Sequence, residues 1–124
     1  VITGDTEPCE ETEIASEGAE LLVHDASFAS AEADRAAETG HSTALGAAEL
    51  AAAAGVGMLA LVHISSRHFV PDILDEARTV FAETVAPRDF DLVAIPLPER
   101  GGPELVPNGA RELPGTGAAV QPPR

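Results

Sequence analysis

Apolar and polar positions alternate along this chain between two periods. Leu21-Leu22-Val23 and Met58-Leu59-Ala60-Leu61-Val62 are short unbroken apolar runs, which read as strands covered on both faces. Pro71 followed by Ile73, Leu74, Ala77, Val80 and Phe81 gives the i, i+3, i+4 spacing of an amphipathic helix that starts at the proline. Ala44 to Ala54 is a second helix, with Ser42 and Thr43 as N-cap candidates and Gly55 closing it. Gly46 inside it lowers helix propensity by about 1 kcal/mol relative to Ala, which predicts tight packing there. Shorter segments fill in the rest: an extended Val1–Thr3, a helix within Thr6 to Ser16, a solvated helix from Glu32 to Glu38 ended by Gly40, and a last strand over Asp91 to Ile95. His24 to Ala31 and His63 to Phe69 read as loops. This alternation of strands and helices predicts an α/β layer structure over 1–96, and the Pro- and Gly-rich composition of 97–124 predicts a disordered, flexible tail.

Composition narrows the picture. The 124 residues suffice for one modest domain, and 44% hydrophobic content with 3% aromatics favours α/β layers over an all-β sandwich. The net charge of −14, with Arg as the sole cationic side chain besides His, opposes binding to nucleic acid or anionic membranes unless a local field overrides it. Salt adaptation and a GC-rich genome account for that composition equally well. Cys9 stands alone, so there is no disulfide framework. No run is long and apolar enough for a membrane span, and the start, without Met or a basic leader, reads as the interior of a longer protein.

The chemistry gathers at strand ends. Val1–Thr3 runs into Asp5, Leu21–Val23 into His24-Asp25, and Met58–Val62 into His63, while His41 precedes the Ala-rich helix. In open α/β sheets ligands collect at the carboxyl ends of strands, and Asp and His are ligand types that catalytic zinc uses. Four segments then follow one another: Thr3-Gly4-Asp5-Thr6, Leu22-Val23-His24-Asp25-Ala26-Ser27-Phe28, Gly40-His41-Ser42-Thr43 and Val62-His63-Ile64-Ser65-Ser66-Arg67. In this order and spacing they resemble the G-D-T, H-E-A-T-F, H-S-T and H-I-S-x-R-Y motifs of ribonuclease Z, the tRNA 3′-processing branch of the metallo-β-lactamase superfamily. The resemblance covers Val1 to about Ile95.

It implies the C-terminal half of a metallo-β-lactamase αβ/βα sandwich and a set of roles. Asp5 would bridge two Zn2+ ions and His63 would ligate one of them. His41 would protonate the leaving oxygen of a phosphodiester, with Asp25 orienting it. Asp25 stands where the family has Glu and is one methylene shorter, so its reach to His41 is expected to need a backbone adjustment or a water. Arg67 is a candidate for substrate phosphate, His24 is expected to be structural, and His68 replaces the family's Tyr. The upstream H-x-H-x-D-H motif and the basic tRNA-gripping arm are not in this sequence, so the chain alone is expected to be inactive. The implied whole is a cytoplasmic, homodimeric zinc endoribonuclease acting on precursor tRNA, without a membrane role. Two alternatives are another hydrolase of the superfamily, a phosphodiesterase or arylsulfatase-like member, and a non-catalytic truncated module.

Overall fold

The computed structural model describes residues 1–109, and Val1–Ala86 form one compact unit. Its elements in chain order are α1 (Glu10–Ser16), β1 (Leu21–Asp25), α2 (Ala33–Thr39), α3 (Ala44–Ala54), β2 (Met58–Val62), α4 (Val70–Arg78) and β3 (Thr84–Val85). The three strands form a parallel sheet in the order β1-β2-β3, with Leu21 opposite Met58, Asp25 opposite Val62 and Leu59 opposite Thr84. On the outer side of β1 the extended N-terminus runs parallel to it, bonded through Val23 N–H to Val1 O at 2.8 Å and Thr3 N–H to Val23 O at 3.1 Å. Parallel strands carry their carboxyl ends to one edge, so Asp5, Asp25 and His63 all emerge there.

The core explains why these segments adopt these elements. Leu22, Leu59 and Leu61 from the sheet pack with Ala47, Ala48, Leu50 and Ala51 of α3 and Ile73 and Ala77 of α4. Each fully buried Leu or Ile contributes about 1.5–3 kcal/mol relative to an exposed one. Alanine on α3 lets the helix lie close to the strands, and it is helix-favouring. Thr43 caps α3 by accepting the Gly46 N–H at 3.0 Å, and Gly55 closes it at φ 65°. The tight packing expected at Gly46 is present: a Cβ there would lie 3.2 Å from Thr43 Oγ1 and 3.3 Å from Pro8 Cγ. In β2, Met58 and Ala60 are as buried as Leu59 and Leu61, so the unbroken apolar run is covered on both faces.

Several expectations need correction. β1 extends through His24 and Asp25, which the sequence placed in a loop, because the ladder with β2 continues to the Asp25–Val62 pair. α4 ends at Arg78 rather than reaching Phe81; Thr79 Oγ1 turns back to donate to Glu76 O at 2.6 Å, and β-branched Thr79-Val80 disfavours further turns. Phe81 still packs against the core from beyond the helix. β3 was not foreseen at all.

A second unit begins at Pro87. It holds β4 (Leu92–Ala94), paired antiparallel with β5 (Glu104–Val106), and a 3-10 turn at Pro98–Arg100. Asp91 supports the pair by accepting the Arg88 and Asn108 N–H groups at 2.8 and 2.7 Å. The strand expected over Asp91 to Ile95 is therefore present but is not the last. Within the start of the expected tail, Pro98–Arg100 form a 3-10 turn and Glu104–Val106 satisfy their backbone against β4. The rest of that expected tail, 110–124, lies outside the described residues.

Candidate metal centre

Asp25 organises the site. Its side chain is fully buried at the end of β1 and collects donors from three segments. Oδ1 accepts the Ser27 N–H at 2.9 Å and the Ser27 hydroxyl at 2.7 Å, while Oδ2 accepts the Thr6 N–H at 3.2 Å and meets His41 Nδ1 at 2.6 Å. Burial alone pushes the Asp25 carboxyl up, but the hydrogen bonds from His41, Ser27 and Thr6 outweigh it and hold the group below its ordinary value. The same bond to Asp25 raises the His41 imidazole above its ordinary value, against a smaller opposing effect of burial. Of the two expected devices, a water or a backbone adjustment, the direct contact removes the need for a water. The shorter side chain suffices because the buried strand end lies close to the His41 turn.

Local backbone geometry delivers His41 to that position. Gly40 ends α2 at φ 73°, a conformation that favours glycine, and the chain then enters the cap of α3. The 41–43 stretch is held against 26–28 by Phe28 N–H to Ser42 O and Ala44 N–H to Phe28 O. Ser42, buried, donates its hydroxyl to Thr6 O at 2.6 Å and so ties down the turn that bears Asp5.

His63 closes the arrangement from the end of β2. Its backbone sits at φ 59°, in the left-handed region that disfavours a residue with a Cβ by roughly 1–2 kcal/mol. The ring stacks on His41, with centroids 5.0 Å apart and planes 8° from parallel. Its Nε2 lies 3.7 Å from Asp5 Oδ2. Ligand-type atoms of Asp5, His41 and His63 all lie within 4.8 Å of one another. One carboxylate and two imidazoles, with Asp5 and His63 more than half exposed, form a donor set that fits a borderline divalent cation and leaves room for further ligands.

Not every candidate joins this cluster. Arg67 pairs with Glu32, its Nη2 2.6 Å from Oε1, and His68 Nε2 lies 3.0 Å from the other Glu32 oxygen. His68 and His41 each meet the Phe28 ring edge-on, with centroids 6.3 Å apart in both cases. His24 is fully buried, its Nδ1 2.8 Å from its neighbour's backbone oxygen at Asp25, and it takes no part in the cluster. Sequence reasoning gave Ser27 no role, although the Asp-Ala-Ser spacing is the signature of a side chain bonding backbone two residues on. Glu32, a partner of Arg67, carries no comparable signal.

Comparison with known proteins gives this geometry a context. No protein-family model matches the chain. It is 50% identical over 101 residues to ribonuclease Z of Gemmatimonas aurantiaca, covering 80% of this chain and 32% of that protein. A similar match, 50% over 102 residues, covers 80% of the chain and 33% of ribonuclease Z from Natronomonas pharaonis. Among solved structures, the metallo-β-lactamase fold protein YhfI of Bacillus subtilis superposes with a TM-score of 0.64 at 30% identity, covering 69% of this chain and 35% of that one. The short form of human tRNase Z gives 0.60 at 30% identity, covering 77% and 32%. The chain thus spans about a third of the length of the curated relatives it matches.

Proposed function

We propose that this chain, homologous to ribonuclease Z over four-fifths of its length, is the C-terminal part of a zinc-dependent endoribonuclease that hydrolyses a phosphodiester at the 3′ end of precursor tRNA. The observation that carries the reading is the Asp25–His41 contact beside the converging Asp5 and His63. Asp5 and His63 would hold the metal together with ligands from further segments of the whole protein. Zinc held there would supply Lewis-acid chemistry and lower the pKa of water enough for hydrolysis near neutral pH.

The chain's own residues supply the proton chemistry. An ionised carboxylate only accepts, so Asp25 fixes a proton on His41 Nδ1 and leaves Nε2 as the working nitrogen. The raised proton affinity of His41 keeps Nε2 protonated closer to neutrality, as a general acid for the leaving oxygen requires. As Asp25 is ionised, it stabilises the imidazolium before transfer. In this reading His41 is the acid rather than a third ligand, Arg67 takes substrate phosphate on release from Glu32, and the whole protein works as a cytoplasmic homodimer.

A chimera tests this. Residues 1–96 replace the corresponding segment of the Gemmatimonas aurantiaca enzyme, and cleavage of precursor tRNA and bound zinc are both measured. Activity is expected, with Asp5→Ala and His63→Ala losing metal and turnover together. His41→Ala is expected to keep its metal and lose about 10²–10⁴-fold in rate. The likeness to YhfI supports a second reading, another hydrolase of the same fold. A folded, zinc-loaded chimera that cleaves a small phosphodiester but leaves precursor tRNA intact would favour it and sink the first.

A further inference from the structure

Ser27 stands where three groups of the site meet, and its hydroxyl has one proton to share among them. The residue is buried, and its Oγ lies 2.7 Å from Asp25 Oδ1, 2.8 Å from His63 Nδ1 and 3.2 Å from His41 Nδ1. A hydroxyl offers one donor and two acceptor lone pairs, whereas an ionised carboxylate only accepts. The contact with Asp25 Oδ1 therefore takes the Ser27 proton. If that proton pointed at His63 instead, two oxygen lone pairs would face each other at 2.7 Å in a buried setting, which is strongly unfavourable. What Ser27 then presents to His63 is a lone pair. An imidazole nitrogen 2.8 Å from it must bring its own hydrogen. His41 does not compete, because its Nδ1 has the shorter contact, 2.6 Å, with Asp25 Oδ2.

We propose that Ser27 is a positioning residue for His63: its hydroxyl relays the Asp25 carboxylate to His63 Nδ1, fixes the Nδ1–H tautomer and leaves Nε2 as the free lone pair nearest Asp5. The backbone supports this role. Ser27 O accepts the Ser65 N–H at 3.1 Å, so Ser27 grips the turn after β2 at two points, the ring of His63 and the amide of Ser65. That turn begins with a left-handed residue, which needs such anchoring to persist. The Ser27 N–H bond to Asp25 Oδ1 holds the short side chain in place. One buried carboxylate thus orients both stacked imidazoles, His41 directly and His63 through a hydroxyl. Its use for metal rests on His63 being a ligand, as proposed above, but the tautomer itself does not.

The test is a spectroscopic one on the full metal-free chain, labelled with 15N and held at a pH where imidazole is neutral. Long-range proton–nitrogen spectra distinguish a protonated from an unprotonated ring nitrogen. In the wild type, His63 should show a protonated Nδ1 and a bare Nε2. Ser27→Thr, which keeps the hydroxyl, should show the same. Ser27→Ala should lose that preference, giving averaged or inverted signals at His63 while His41 stays Nδ1-protonated through Asp25. A wild-type His63 protonated at Nε2 overturns the proposal, as does a folded Ser27→Ala that retains the wild-type tautomer. If Ser27→Ala does not fold, the wild-type and Ser27→Thr spectra decide, and Nε2 protonation in either overturns it. Because no turnover is measured, failure here leaves the nuclease reading standing, and failure of the chimera leaves the tautomer intact.

Discussion

Removing Asp25 should damage the fold as well as the chemistry, and by an amount that depends on what replaces it. In Asp25→Ala, two buried donors, the Ser27 N–H and hydroxyl, lose their acceptor, and the Thr6 N–H and His41 lose theirs in a partly exposed setting. Each buried donor left unpaired costs about 1–3 kcal/mol. The partner left behind, His41, is partly exposed and reaches solvent, so the two Ser27 donors set the expected loss at about 2–6 kcal/mol. Asp25→Asn keeps an acceptor toward Ser27 but turns an amide toward Thr6 N–H and His41, so about 1–2 kcal/mol is expected. Urea unfolding followed by circular dichroism measures both.

The pH profile carries the sign. His41 has a raised value, so its contribution is fully present below the ordinary imidazole value of 6.5 and is lost as pH rises through the raised folded value. Asp25 has a lowered value, so its contribution is present above the ordinary 3.8 and is lost as pH falls through the lowered folded value. The pair therefore stabilises most between those two ordinary values, and the wild-type advantage over Asp25→Ala should shrink on both sides. An Asp25→Ala protein within about 0.5 kcal/mol of wild type, the range of inert surface changes, would refute the reasoning. So would an advantage that stays flat with pH.

The other expectations are simpler. Leu59→Ala empties a fully buried position of β2 and should cost about 2–5 kcal/mol by urea unfolding, while Ile14→Ser, mostly exposed on α1, should stay within about 0.5 kcal/mol. Thr43→Ala removes the α3 cap and should cost about 1 kcal/mol, and Thr43→Ser, which keeps the capping oxygen, should lose much less. Chelating the metal from the zinc-loaded chimera should abolish precursor tRNA cleavage, with zinc restoring it; cleavage that persists in a protein shown to be metal-free would contradict the metal reading.

Local patterns were legible wherever one physical signal dominated. The limits of α3 and β2 follow from a capping Thr43, a closing Gly55 and an unbroken apolar run, each a local rule that packing did not override. The convergence of Asp5 and His63 was legible as strand-end chemistry, since parallel strands bring those ends to one edge, whereas His41 reaches them from the turn between α2 and α3. What escaped depended on distant partners. Thr84-Val85 is too short to announce itself and becomes a strand only beside Leu59 and Ala60. β5 is hidden among prolines and glycines and exists through its pairing with β4. The role of Ser27 required knowing that residues 14 and 36 positions further along the chain bring imidazole nitrogens to one hydroxyl.

Charge is the remaining constraint on any account of this site. A phosphodiester approaching His41 meets the Asp5 carboxylate and, behind it, buried Asp25, in a chain whose net charge is −14. Arg67 does not offset them while Glu32 holds it at 2.6 Å. When protonated, His41 supplies one positive charge, which its bond to Asp25 offsets against the buried carboxylate. The field at the open strand ends is therefore set by Asp5, which repels a phosphate. A divalent cation held by Asp5 and His63, as proposed, would reverse that sign locally, because a bound metal is the largest charge in its surroundings. The same carboxylate that would exclude a phosphate would then hold the ion that attracts it. If the proposed metal site holds, the ion would act before any bond is broken, by letting an acidic surface receive a nucleic-acid backbone, and precursor tRNA should bind the metal-free chimera more weakly than the zinc-loaded form even when His41→Ala has silenced cleavage.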